Sequence, residues 1–444
     1  MDLNKFNIFL AGLLPLLLIA CTPKLEKIVL TIPDTPHNIM IHSSGSILGP
    51  CEPTICIDPS QPSRIVAGSV LDNVYVSNDG GRTWDIQRMQ SSKGVYGDPV
   101  VRIDREGNIF YAHLSNPKGK PHGDDSFLDR IVVQRSEDGG KTWNDGGHSQ
   151  VRGSHDQDKE WLYIDPIDGT ILMGWTEFDK YNSSKPEDKS RILFSKSTDK
   201  GDTWSEPIII SQYEGNCLDD DMTPEGAVPV VGTDGTYYIV WAFDSKIYLD
   251  ISKDQGNTWL DKDRVIASQV NGWAQDIPGL DRCNGMPTIK CDISMGPYRG
   301  RLYVNWSDQR NGEDDTDIWV MYSDDRGVTW SAPHRVNDDE PGRHQFFSNM
   351  DVDPVTGFIY LVFYDRRGHD NNATDVFLAY STDGGATFTN RKINSTTFTP
   401  QKSIFFGDYT DISAYNNMVR PIWTQYNRRQ LSVWTALIDI SIRD

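Results

Sequence analysis

Short apolar runs broken by polar turns recur along the chain, and one stretch displays the unit in full. Trp161 to Asp165 reads as a strand, Pro166 to Gly169 as a turn and Ile171 to Trp175 as a second strand. After a loop, Ile192 to Ser197 supplies a third strand and Ser205 to Ile210 a fourth. Runs of this length, bounded by Gly, Pro and Asp, predict a four-stranded antiparallel unit. Between the third and fourth strands stands the turn Ser197-Thr198-Asp199-Lys200-Gly201-Asp202-Thr203-Trp204, and turns of this pattern occur six times. The others begin at Ser77, Ser136, Ser252, Ser323 and Ser381, each with Asp, Gly and Thr two, four and six residues on and an aromatic residue after the Thr. The serines are spaced 59, 61, 55, 71 and 58 residues apart. A near-fixed period of this size marks a repeat architecture.

The turn residues have a structural chemistry. Asp bonds nearby backbone N–H groups and Gly tolerates positive φ. Thr and Trp then restart a strand, with the ring covering the hairpin. These aspartates are therefore read as structural. Three more strands follow the sixth turn, in Gly407 to Ala414, Val419 to Trp423 and Leu431 to Leu437. A fourth is expected from the N-terminal run Ile28 to Ile32, closing the ring and leaving no open sheet edge. The pattern predicts an all-β, seven-bladed β-propeller of four-stranded antiparallel blades, with a six-bladed ring as the rival.

Loop lengths separate two faces. Turns after first and third strands are short, whereas Asn116 to Asp129, Glu177 to Lys189, Tyr213 to Glu225, Asn271 to Gly285 and Ser307 to Asp315 are long. Long loops on a rigid scaffold carry function, so the functional face is expected opposite the repeated turns.

Counting back six residues from Asp58 and Asp104, which end first strands, gives Glu52 and Asp98; the same column holds Lys159, Gly226, Met286, Phe347 and Asp408. In a closed ring Asp408, Glu52 and Asp98 form an acidic arc, with Lys159 beside it and Glu160 and Glu225 close by. Crowded carboxylates raise one another's pKa, which suits general acid–base work. The bland alternative is that these groups bond backbone N–H groups at strand starts, or bind a cation. Arg310 and the pair Arg366 and Arg367 sit in matching loops, and Arg343 enters the sixth blade. A guanidinium fork suits a carboxylate or sulfate; internal Asp–Arg pairing is the competing reading. Tyr96, Trp273, Phe346 and Tyr409 are candidates to stack on sugar rings or to fill the core. Asp219, Asp220 and Asp221, and the run Glu313 to Asp315, offer oxygens suited to calcium, without EF-hand spacing.

The first 21 residues change the picture of compartment. Lys5 precedes an apolar run from Ile8 to Ala20, and Leu18-Ile19-Ala20-Cys21 resembles a bacterial lipobox. The resemblance implies a signal peptide over residues 1–21, lipidation of Cys21 and a cell-envelope protein tethered to a membrane; Thr22 points to outer-membrane sorting. Residues 22–48 form an N-terminal segment and 49–444 the ring. The net charge of −20 argues against nucleic acid and against a charge-driven grip on anionic lipid. A monomer is expected. Of six cysteines, Cys51, Cys56, Cys217, Cys283 and Cys291 remain after Cys21. Cys217 and Cys283 enter neighbouring blades and are the candidate disulfide; no zinc spacing occurs.

The repeated turn, Ser-x-Asp-x-Gly-x-Thr-Trp, resembles the Asp-box, or BNR repeat, of the sialidase superfamily, and the resemblance covers residues of about 50 to 440. It implies the propeller fold and a carbohydrate context. Sialidases hold a carboxylate with three arginines, the first in an Arg-Ile-Pro motif. Here Glu52-Pro53-Thr54 stands at that strand and Arg64-Ile65-Val66 lies on another, so no catalytic residue is carried over. The expected function is a sialidase-like glycoside hydrolase acting on an acidic glycan. A uronate lyase or dehydratase, or a non-catalytic glycan- or protein-binding propeller, are the alternatives.

Overall fold

The computed structural model describes residues 29–31, 36–46, 49–117, 119–121 and 124–443. Seven four-stranded antiparallel sheets follow one another along the chain, and among the described residues there is no helix. The first strands of consecutive sheets pack side by side, from Thr54–Ile57 in blade 1 round to Asp411–Tyr415 in blade 7, which returns against blade 1. The sheets therefore close into a ring of seven blades.

Each of the six boxes begins on the last residue of a third strand, so all six lie at the same turn and on the same face. The Ser hydroxyl lies 2.8–2.9 Å from the Asp carboxylate and accepts from the Gly N–H at 2.8–2.9 Å. The other Asp oxygen accepts from the Thr hydroxyl at 2.5–2.7 Å. The Thr258 hydroxyl, then its N–H and Ser252, hold the carboxyl of Asp254 down to about 2. Gly is required four residues after Ser because φ there is positive, as at Gly81 (93°) and Gly327 (76°).

Blade 7 corrects one expectation. Its outer strand is His37–Ser44, paired antiparallel with Gln430–Asp439. The run expected to close the ring contributes Val29–Thr31 instead to a separate two-stranded ribbon with Ser441–Arg443; Ile28 and Ile32 lie outside the described residues. Both runs have strand chemistry, and the longer one covers the blade edge. Asn38 ties it to blade 6, donating to the Ile393 carbonyl at 2.8 Å and accepting from the Ser395 N–H at 2.6 Å.

The core lies between blades. Trp175, Trp241, Trp306 and Trp423, all on second strands, are fully buried; large aromatic rings fill the widening space between adjacent sheets. Cys51, Cys56, Cys217, Cys283 and Cys291 are all free thiols, so the expected Cys217–Cys283 disulfide is absent. Cys217, in the loop between blades 3 and 4, forms an isolated backbone β-bridge with Ser183 of blade 3, whereas Cys283 is buried in an apolar cluster with Phe346. Loops that enter neighbouring blades do not thereby bring their cysteines together.

Candidate active site at the channel mouth

The site grows out of an irregularity at the start of the first strands. Antiparallel pairing slips between Asp158 and Trp161, between Glu225 and Val228, and between Phe346 and Asn349. Five residues of the column described above have positive φ: Glu52 (51°), Asp98 (46°), Lys159 (54°), Gly226 (74°) and Phe347 (50°). Four of these are not glycine. Such backbone costs about 1–3 kcal/mol per residue and is kept where it positions a side chain. Here it turns the column towards the channel on the face opposite the boxes.

Glu52, Asp98, Asp158, Lys159, Tyr181 and Arg282 line a pocket of about 230 Å³ there, with Tyr96, Phe127 and Phe405 among its apolar walls. Asp408 lies beside it, paired with the Lys159 and Arg282 that line it. The Lys159 ammonium is paired with Asp408 and lies 3.8 Å from Asp98. Arg282 grips Asp408 through Nε at 2.8 Å and through Nη2, and its Nη1 reaches Asp219 at 2.7 Å. The Tyr181 hydroxyl donates to the same Asp219 oxygen at 3.2 Å. Gly407 allows the close approach of blades 7 and 1, since a Cβ there would stand 2.9 Å from Glu52.

The carboxyls fall into two groups. Burial, then the charges of Asp98 and Asp408, push Glu52 well above the carboxylate range. Asp408 goes the other way: burial opposes its ionisation, yet Arg282 and Lys159 overcome it and hold the carboxyl at about 2. Glu160 is raised by burial and then Asp98, Glu225 by burial and then Asp219, and Asp158 by burial and then Asp98. Neither side-chain oxygen of Glu160 or Glu225, nor Oε1 of Glu52, has a hydrogen-bond partner among the described residues. Burial pushes Lys159 down, but Asp408 and then Asp98 outweigh it and raise its pKa.

Other expected site residues lie elsewhere. Arg310 is locked to Asp308 (2.5 Å) and stacks on Trp319 (4.3 Å). Arg367 is locked to Asp365 (2.8 Å) and Asp338 (2.5 Å) and stacks on Phe377 (4.2 Å). Arg343 pairs with Asp370 at 2.6 Å on the surface. Arg366 is buried, donating to the Pro278 carbonyl at 2.7 Å and to Thr374 at 3.2 Å. None of the four lines the mouth pocket: three pair with aspartates of blades 5 and 6, and the fourth braces the Pro278 loop. Trp273, Phe346 and Tyr409 are core rings, and Tyr409 packs edge-on against Trp161 at 5.5 Å. Glu160 and Glu225 are buried near the mouth without lining its pocket.

The three consecutive aspartates do not converge. Asp219 takes Arg282 and Tyr181, Asp220 accepts from Asn216 (2.9 Å) and the Met222 N–H (2.8 Å), and Asp221 accepts from the Ala274 N–H (2.7 Å). Such a dispersed set does not fit a calcium ion, and among the described residues no three His, Cys, Asp or Glu are grouped to hold a metal.

Arg282, Asp158 and Tyr181 were not expected from the sequence. Arg282 lies in the long Asn271 to Gly285 loop, which was its one available signal. A larger cavity of about 700 Å³ opens on the box face. Three of its cations are engaged: Arg102 donates to the Val101 (2.7 Å) and Leu162 (3.2 Å) carbonyls, Lys290 pairs with Asp351 at 3.2 Å and Lys200 with Glu106 at 2.6 Å. The mouth, with carboxyls of opposed proton affinity, is the better candidate.

Comparison with known proteins gives the same architecture. The BNR/Asp-box repeat family model matches residues 321–332, the fifth box. A protein of unknown function from Dyadobacter fermentans is similar at 17% identity, covering 77% of this chain and 94% of its own (TM-score 0.52). A PL25 ulvan lyase, solved bound to -[GlcA(1-4)Rha3S]-, is similar at 11% identity, with 90% and 98% coverage (TM-score 0.52). The NanB sialidase of Streptococcus pneumoniae is similar at 10% identity, with 84% and 83% coverage (TM-score 0.50). At these identities the likeness establishes the fold. The six boxes, the matched repeat and the ring of blades together show a seven-bladed β-propeller that carries BNR/Asp-box repeats.

Proposed function

We propose that the mouth cleaves a glycosidic bond in an acidic glycan, as a sialidase-like glycoside hydrolase. One observation carries this reading: Glu52 and Asp408, from adjacent blades, have their proton affinities driven in opposite directions. Carboxyls pushed apart in this way divide the acid and charge-holding roles. Glu52 holds its proton and donates it to the departing oxygen. Asp98, the more accessible carboxylate 3.8 Å from Lys159, serves as base or nucleophile. Asp408 fixes Lys159 and Arg282, and the partly open guanidinium of Arg282 meets the anionic group of the substrate. Phe405, beneath that guanidinium at 5.1 Å, offers an apolar wall for a sugar face.

The pocket of about 230 Å³ is smaller than the ~300–1,000 Å³ of drug-sized ligand sites, which suits one sugar residue of a chain. Glycan-active neighbours of the same fold, a sialidase and an ulvan lyase, agree with a glycan ligand. A lyase needs a group that takes a proton α to the carboxylate; Lys159 and Tyr181 are both pushed to keep theirs, so elimination would fall to Asp98 alone.

The test is turnover of sialosides, uronate oligosaccharides and sulfated glycans by the purified protein. Release of a reducing sugar, lost in Glu52→Gln with the fold intact, is expected. An unsaturated product detected by absorbance would establish a lyase, and binding on a glycan array without turnover would establish a binding module.

A further inference from the structure

We propose that the ring sits with its Asp-box face against a lipid bilayer and its acidic mouth directed away from it. The first observation is where the chain leaves the ring. Met418, at the short turn between the first two strands of blade 7, pairs with Asp439, which places Asp439 on the box face. Arg420 fixes this end, binding Asp439 at 2.9 Å and the Gly80 carbonyl of the first box at 2.9 Å. The chain runs on from there as Ser441–Arg443, and Val29 pairs with Arg443, the residue farthest from the blade. The N-terminal segment therefore departs from the box face.

The second observation is the length of that segment. Cys21, the lipidation site read from the sequence, precedes Val29 by eight residues, a reach of at most about 29 Å when fully extended. An anchor that short cannot pass round the ring and let the opposite face meet the bilayer.

The third is the surface itself. Among the described residues, the three most exposed large apolar side chains are Met295 (87%), Val328 (63%) and Ile167 (62%). Met295 and Ile167 occupy turns between first and second strands, and Val328 lies in the fifth box. All three project from the box face, as does Val355 in blade 6. The loops of the mouth face expose Met222, Leu218 and Val270 as well, but to no more than 47%. At an interface such side chains leave water, and their burial adds to what the lipid anchor contributes. The net charge of −20 makes an anionic surface an unfavourable partner, so the surface that fits is zwitterionic. In this orientation the long loops and the pocket face outward, where a polymeric glycan can reach them.

The proposal rests on lipidation of Cys21 and is independent of the reading of the mouth as catalytic. The full chain, its lipid verified by mass spectrometry, is placed on phosphatidylcholine vesicles with brominated acyl chains. A Cys56→Ser background leaves the other described thiols buried, so Met295→Cys or Met222→Cys carries a single fluorophore. Met222 belongs to a long loop on the mouth face. Quenching several-fold stronger at position 295 than at 222 is expected. Equal or reversed quenching, no quenching at either site on vesicle-bound protein, or a chain that acquires no lipid at Cys21 would each overturn it.

Discussion

Lys159 and Asp408, 249 residues apart in the chain, form a buried ion pair across the mouth of the ring, from blade 3 to the entry of blade 7. Both side chains are almost fully enclosed, so each depends on the other for its charge. Removing one partner from such a pair costs about 3–5 kcal/mol, because the remaining charge is left uncompensated. Arg282 adds a second cation to the same carboxylate. After burial and Asp98, the pair contributes to the field in which Glu52 titrates.

That field predicts opposite shifts in the pH profile. Asp408 raises the pKa of Glu52 and Lys159 lowers it. If Glu52 acts as the acid, its deprotonation forms the alkaline limb of the rate profile. Asp408→Asn should move that limb to lower pH, and Lys159→Met should move it to higher pH. Initial rates across pH on whichever glycan is turned over provide the measurement; shifts of the same sign would remove Glu52 from the role.

Glu52→Gln should lower kcat by about 10²–10⁴-fold, the usual contribution of a general acid, while thermal stability is kept or raised. A substrate with an activated leaving group, which needs no protonation, should recover much of the loss. Unimpaired turnover of ordinary substrate would show that Glu52 only fills the channel.

Glu160 carries a stability prediction with a definite sign. Burial, then Asp98, raises its pKa, while in the unfolded chain it ionises near pH ~4.3. Folded protein then holds a proton that unfolded protein has lost. Stability should fall as pH rises from about 4.3 towards the folded value. Glu160→Gln, neutral at every pH, removes this penalty. Urea denaturation should find the variant more stable than the parent at neutral pH, with the difference vanishing at about pH 4.

The box serine is a structural prediction. Ser77 is buried, lies 2.9 Å from the Asp79 carboxylate and accepts from the Gly81 N–H at 2.9 Å. Ser77→Ala should cost about 1–2 kcal/mol by leaving that N–H unsatisfied, read as a lower urea midpoint. Activity at the opposite face should be unchanged.

Ring closure can be tested by truncation. A chain beginning at Gly45 lacks His37–Ser44 and leaves Gln430–Asp439 as an open edge. Unpaired strand edges recruit other chains, so size exclusion should show larger species than the full chain forms. A monomeric truncated ring with unchanged melting would show the outer strand to be dispensable.

The sequence by itself determined the ring. Six boxes at a near-constant interval, each flanked by short alternating runs, leave little freedom, because every box imposes the same turn through the bonds of one Ser, one Asp and one Gly. It also determined the mouth's column, Glu52, Asp98, Lys159 and Asp408, since equal spacing from the end of each first strand puts equivalent residues at equal depth. The arginines were decided by tertiary structure alone. Arg310 and Arg282 both lie in long loops on one face, yet Arg310 meets an aspartate two residues away, while the aspartates that take Arg282 lie 63 and 126 residues distant. The ring-closing strand was undecided for a related reason. Val29–Thr31 and His37–Ser44 have similar strand chemistry, and only the register against Gln430–Asp439 selects one. Local pattern governs turns and periodicity because their bonds span a few residues. Ion pairs and edge pairing across the ring depend on where loops of unequal length return, which no local interval encodes.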